Sequence, residues 1–245
     1  MNRVEYIRRE EKKYHDSCYE NYTLFEKGSW LYKPVRTVME QLSLLKGKQD
    51  IRVLDLGSGV GRNSIPIANE IKSSNGKVVC VDLLPSAIKK LSQYCKEYGV
   101  EQVIELVQTD IAEYQIKQKA YDYIVAVSSL EHVSSESVFD SVLEKMAAGT
   151  KEGGLNCIIV NSEVEEVDIE TNEQLDALME VNLKTEDMIH KIRGIYNGWE
   201  VVKQVVKPLE YKIVRGEKDV NLRTNAITYV VRKGKDPFST YANSI

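Results

Sequence analysis

The chain has 245 residues, 42% of them hydrophobic and 29% charged, and a formal net charge of −4. That is an ordinary globular composition, long enough for one large domain or one domain with a cap. The negative balance gives no electrostatic basis for gripping a phosphate backbone, so no nucleic-acid partner is expected. No apolar run approaches the roughly 18–20 residues that span a bilayer. Met1–Tyr6 lacks an apolar signal region, so the expectation is a cytoplasmic protein without a membrane partner. Cys18, Cys80, Cys95 and Cys157 are far apart and form no C-x-x-C pair, so no metal site is expected.

In chain order, the first 45 or so residues read as helices, with Val35, Val38, Met39 and Leu42 forming an apolar stripe. This part also holds Tyr6, Tyr14, Tyr19, Tyr22, Phe25, Trp30 and Tyr32, seven of the nineteen aromatic residues. Ile51–Leu56 reads as the first strand, followed by a helix from about Arg62 to Ser73 with Ile65, Ala68 and Ile71 on one face. Asn75-Gly76 turns the chain into the strand Lys77–Val81. Pro85 suits the first turn of the next helix, which carries Ile88, Leu91, Cys95 and Tyr98 and stops at Gly99. Val103–Val107 and Tyr121–Val127 are the third and fourth strands. The helix Ser137–Ala148 ends at Gly149, and Gly153-Gly154 leads into the fifth strand, Leu155–Val160. The acidic segment Glu163–Glu180 reads as a solvated insertion before a helix near Thr185–Tyr196. Trp199–Val206 and Ala226–Val231 are two further strands joined by a polar stretch. Alternating strands and helices from residue 51 onward define an α/β sheet.

The loop after the first strand, Asp55-Leu56-Gly57-Ser58-Gly59-Val60-Gly61-Arg62-Asn63, places glycine at every second position. A dinucleotide fingerprint needs its third glycine where this chain has Arg62. The pattern D-x-G-x-G-x-G instead resembles motif I of the class I S-adenosylmethionine-dependent methyltransferases. Asp82 closes the second strand 21 residues after Gly61, the offset at which an acidic residue meets ribose hydroxyls in doubly wound folds; it also fits a plain loop or capping aspartate. Asp110 follows the third strand, where it fits either a turn or a ligand contact.

The resemblance covers roughly residues 48–161 and implies the rest of the site. It implies S-adenosylmethionine as cofactor, Asp110 accepting from the adenine amine, the Ile111 backbone beside it, and Leu83 and Leu84 sandwiching the ring. Asp55 would orient the cofactor's amino group or fix the loop. The amides of Gly57, Ser58, Gly59 and Gly61 and the helix start at Arg62 and Asn63 suit the methionine carboxylate. Ser128, implied as a further cofactor contact, opens the segment Ser128-Ser129-Leu130-Glu131-His132-Val133, which resembles small-molecule methyltransferases and lacks the N-P-P-Y or D-P-P-Y of enzymes acting on the exocyclic amine of DNA bases or on a protein glutamine. His132 is the candidate general base, or merely a packing residue, while His15 and His190 read as surface residues. Trp30, Tyr32 and Glu131 are candidate acceptor-pocket residues, the aromatic ones suited to surrounding a sulfonium.

The implied fold is a doubly wound, mostly parallel seven-stranded sheet of Rossmann-like methyltransferase type, with a C-terminal antiparallel hairpin and an N-terminal helical cap. The expected organisation is a cap over 1–47, a core over 48–233 that includes the insertion and helix at 162–198, and a tail over 234–245. Gly61-Arg62-Asn63-Ser64, Tyr196-Asn197-Gly198-Trp199-Glu200 and the closing Ala226–Lys233 strand resemble the tellurite-resistance methyltransferases. Where that family has a histidine–arginine pair, this chain reads Tyr211-Lys212-Ile213-Val214-Arg215. The expected activity is methyl transfer to a small molecule by in-line displacement, in a monomer or homodimer. A macromolecular acceptor and a non-catalytic cofactor-binding module are the alternatives.

Overall fold

The computed structural model describes residues 2–216 and 218–234. Five parallel strands form its centre: β1 (Arg52–Leu56), β2 (Lys77–Asp82), β3 (Ile104–Gln108), β4 (Tyr121–Val127) and β5 (Thr150–Asp168). The sheet order is β3-β2-β1-β4-β5-β8-β7, where β7 (Glu200–Arg215) and β8 (Lys218–Arg232) make the antiparallel hairpin. The seven expected strands form this path, and an eighth, β6 (Gln174–Leu175), pairs with β5 beside it.

Strand geometry sends alternate side chains to opposite faces, and here each set has its own helices. Val53, Val78, Cys80, Tyr123, Val125 and Cys157 pack with Val38 and Leu42 of α2 (Arg36–Ser43), Ile65 and Ile67 of α3 (Ser64–Ile71), and Leu91 of α4 (Pro85–Glu97). On the other face Leu54, Leu56, Val79, Val81, Ile124 and Ile158 pack with Phe139 and Val142 of α5 (Glu136–Gly149) and Met188 and Ile192 of α6 (Thr185–Ile195). Burial on both faces explains why these strands are near-continuous apolar runs. The N-terminal helix α1 (Arg3–Asn21) starts with an Asn2–Glu5 capping box and buries only Ile7, Cys18 and Tyr19. A single 3₁₀ turn, Trp30–Tyr32, links it to α2.

Three expectations are corrected. The acidic stretch from Glu163 is not a solvated insertion up to Asp168: β5 continues through it, with Val164, Glu166 and Asp168 buried and Glu163 and Glu165 exposed. Cations from the hairpin make this possible, Arg215 lying 3.0 Å from Glu166 and Lys218 2.9 Å from Asp168. The polar stretch between the last two strands is likewise strand, so the hairpin is far longer than its apolar ends suggest. The helix expected from Arg62 begins at Ser64, because Gly61 at φ +94° still belongs to the loop. The tail expected from residue 234 lies outside the described residues from 235 on. Among the described residues, no helix is long and apolar enough to cross a membrane.

Candidate active site

The crevice lies at the carboxyl ends of β1, β2 and β4, where the sheet order reverses, the usual ligand position in open α/β sheets. Gly57 and Ser58 donate their backbone N–H groups to the Val81 carbonyl at 2.8 and 3.0 Å, pinning the loop to β2. Gly57, Gly59 and Gly61 have φ of +76°, +53° and +94°. A Cβ on Gly57 would stand 2.3 Å from Ser129 Cβ, and one on Gly59 would stand 3.2 Å from the Tyr19 hydroxyl. The alternating glycines therefore admit close neighbours as well as an unusual backbone.

Three carboxylates stand at or just past the ends of β1, β2 and β3. Asp55 is buried and accepts from Ser64 Oγ at 2.5 Å. Burial pushes its carboxyl up to about 6, with Asp82 adding to the rise and Ser64 and Arg62 opposing it. Asp82 accepts from the N–H of Gly59 at 2.7 Å and of Leu84 at 2.9 Å. Burial raises its pKa, and those two bonds oppose the rise. Asp82 thus shapes the loop on either reading of its role, and each oxygen keeps a further lone pair for a ligand. Asp110 accepts from the Ala112 N–H at 2.9 Å and from Arg8 Nη2 of α1 at 2.8 Å. Ile111 is buried, Leu84 is half-buried and Leu83 is exposed.

Ser58 Oγ and Arg62 Nε are buried without a partner. Arg62 instead donates through Nη1 to the Trp30 carbonyl at 2.9 Å, its guanidinium 5.0 Å from the Trp30 ring centroid. The Asn63 side chain accepts from the Val35 N–H at 2.9 Å, which ties it to the cap. Ser128, at φ +49°, is exposed and donates its N–H to the Ile159 carbonyl at 2.8 Å. Tyr32 is half-buried, with the Lys33 ammonium 4.8 Å from its ring centroid.

Beyond Ser129 the chain forms a 3₁₀ turn, Leu130–His132. Glu131 is fully buried, its Oε1 accepting from Asn161 N at 2.9 Å and Asn161 Nδ2 at 2.8 Å, its Oε2 without a partner. His132 Nδ1 lies 3.1 Å from Glu180 Oε2. Burial disfavours its charged form, but the bond to Glu180 and the carboxylates of Glu131 and Glu11 prevail and push its pKa up to about 9. This arrangement favours the protonated imidazole. The expectation for His15 is corrected, because it is half-buried, its ring centroid 5.7 Å from that of Tyr19 and 6.1 Å from that of Trp30. His190 is exposed.

Sequence reasoning missed Arg8, Glu11 and Glu180, the charged groups that α1 and the segment after β6 bring beside His132 and Asp110. One signal was available: Arg8, Glu11, His15 and Tyr19 recur at helical spacing along α1. Among the described residues, no group of three or more His, Cys, Asp or Glu side chains is placed to hold a metal ion.

Residues 53–154 match the methyltransferase domain family. The chain is 31% identical over 117 residues to phosphoethanolamine N-methyltransferase 1 of Zea mays, covering 47% of this chain and 22% of that one. It is 33% identical over 89 residues to the ubiquinone biosynthesis O-methyltransferase of Rickettsia felis, covering 36% of this chain and 34% of that one. The chain thus spans about a fifth to a third of the length of these curated relatives. In fold it is similar to TehB from Haemophilus influenzae, a tellurite-resistance methyltransferase, with a TM-score of 0.59, 19% identity, and coverage of 80% of this chain and 61% of that one. A methyltransferase structure from Bacillus halodurans covers 81% of this chain and 99% of its own, with a TM-score of 0.60 and 15% identity.

The residues present fit S-adenosylmethionine. The unpartnered Ser58 hydroxyl, the side-chain-free path along Gly57 to Gly61 and the Asp82 lone pairs supply donors and acceptors where a nucleoside and an amino acid need them.

Proposed function

We propose that the protein transfers a methyl group from S-adenosylmethionine to a small-molecule acceptor. The observation that carries this reading is the juxtaposition of the Gly57–Gly61 loop with the Asp82 carboxylate at adjacent strand ends. Asp82 would hold the ribose hydroxyls, Asp110 the adenine amine beside Ile111, Leu83 and Leu84 the ring faces, and Asp55 with the loop amides the amino-acid end. Ser128 would contact the cofactor, and Tyr32, Glu131 and the exposed Trp30 would border the acceptor. The bound cofactor supplies an electrophilic methyl on a positively charged sulfur. The chain's part is to hold the acceptor in line with it and exclude water, which alone supplies much of the acceleration. Residues 1–47 act as the cap on this reading and 48–233 as the core.

A small acceptor is favoured by the relatives, an O-methyltransferase and a phosphoethanolamine N-methyltransferase by name. The net charge of −4 supports an acceptor other than nucleic acid. The four unpaired cysteines suit a reducing cytoplasm.

Calorimetry with S-adenosylmethionine and S-adenosylhomocysteine tests the pocket, and S-adenosylhomocysteine release over a panel of small hydroxyl, amine and thiol compounds tests the reaction. Asp82→Ala should weaken both cofactor forms at least about tenfold, as loss of a charge-assisted bidentate contact does. Unchanged affinity in that variant would reject the ribose assignment, and a wild-type chain that binds neither form would reject the reading as a whole.

A further inference from the structure

His132, Glu180, Arg8 and Asp110 form a continuous run of alternating charge from the acceptor end of the crevice to its nucleoside end. His132 Nδ1 is 3.1 Å from Glu180 Oε2, Arg8 Nε is 3.9 Å from Glu180 Oε1, and Arg8 Nη2 is 2.8 Å from Asp110 Oδ2. The middle contact is incomplete: both Arg8 Nε and Glu180 Oε1 are buried and have no hydrogen-bond partner. Arg8 is thus committed to one carboxylate and stops short of another, and each unmet atom costs desolvation energy until it is paired.

We propose that Arg8 is a positioning residue that couples occupation of Asp110 by the nucleoside amine to the proton state of His132. The proposal rests on the reading that this amine meets Asp110. Asp110 Oδ1 already accepts from the Ala112 N–H, so an incoming amine competes with Arg8 for Oδ2. Glu180 Oε1, 3.9 Å from Arg8 Nε and without a hydrogen-bond partner, is an acceptor within reach of the displaced guanidinium. A full Arg8–Glu180 bond places a second cation on the carboxylate that now stabilises the imidazolium, and the imidazolium loses part of its advantage over the neutral ring. The other groups bearing on His132 are Glu131 from its own turn, and Glu11 and His15 from α1. Arg215 from β7 acts at one remove, 3.3 Å from Glu11. None of these contacts Asp110. The imidazolium then gives up its proton more readily with the nucleoside in place than without it.

The experiment titrates the full chain with ¹³C-labelled histidine, with and without saturating S-adenosylhomocysteine, whose neutral thioether adds no sulfonium charge of its own. Three histidines give three resonances, and His132 is assigned by the signal lost in His132→Asn. Nucleoside binding should lower the His132 midpoint by roughly one pH unit, the scale of one carboxylate hydrogen bond. Arg8→Gln should raise the midpoint of the free protein and abolish the ligand-induced shift, and Arg8→Lys should restore part of it. Circular dichroism and ligand affinity report whether each variant is folded. The wild-type titration decides the matter even where a variant is not. If S-adenosylhomocysteine binds and leaves the His132 midpoint in place, or if Arg8→Gln shows the wild-type shift, the coupling is wrong and the methyltransferase reading stands. If calorimetry shows no binding to the wild-type chain, the cofactor reading fails and takes the coupling with it.

Discussion

At Gly57, backbone and packing make the same demand. Its φ of +76° is one that L side chains seldom adopt, and Ser129 Cβ lies 2.3 Å from where a Cβ would be. Gly99, at φ +62°, has no atom within 4 Å of that position. Gly57→Ala is therefore expected to cost about 2–4 kcal/mol, and Gly99→Ala about 1 kcal/mol, from strain plus overpacking against strain alone. Urea denaturation of the two variants checks this, and equal losses would contradict the close approach of Ser129. The glycine spacing was legible in the sequence because a positive φ is a local requirement. The approach of Ser129, 72 positions away in the chain, was not, because nothing local encodes it.

Among the elements, β5 departs furthest from its sequence pattern. Glu166 and Asp168 sit at inward positions of a strand, where an unpaired carboxylate is prohibitive. Arg215 of β7 resolves this for Glu166 with bonds of 3.2 and 3.0 Å, and it also reaches Glu11 of α1 at 3.3 Å. One guanidinium thereby joins the hairpin, the extended strand and the cap. Arg215→Ala leaves Glu166 buried and uncompensated and is expected to cost about 3 kcal/mol, the usual penalty for breaking one side of a buried pair. Adding Glu166→Gln should recover a good part of that loss. Denaturation of the single and double variants provides the comparison, and a double variant as unstable as Arg215→Ala would show that the charge is not the cause.

At the scale of the whole molecule, the chamber around His132 is built from α1, the turn after β4, β5, the segment after β6 and the hairpin. Its net effect is to hold the imidazolium, raising the pKa from 6.5 in a free histidine to about 9. A group whose pKa rises on folding contributes its full stabilisation below its unfolded value. Here that contribution is complete below about pH 6.5 and is lost as pH rises through about 9. The wild-type chain should therefore lose on the order of 2–3 kcal/mol across that window relative to His132→Gln. Thermal or urea unfolding of both proteins along a pH series measures the difference. Parallel curves would mean that Glu180 does not hold the ring in solution.

The sequence by itself determined the order of strands and helices, the loop that bends around the crevice, and the acidic residues at the strand ends. Each of these follows from short-range causes: periodicity, positive φ, and the strand-to-loop boundary. Only the tertiary structure decided that the acidic stretch of β5 is a strand, that His132 lies against Glu180, and that Arg8 lies between two carboxylates. Those outcomes depend on desolvation and on partners far away in the chain. An isolated carboxylate or imidazole carries no record of which cation folding will bring beside it.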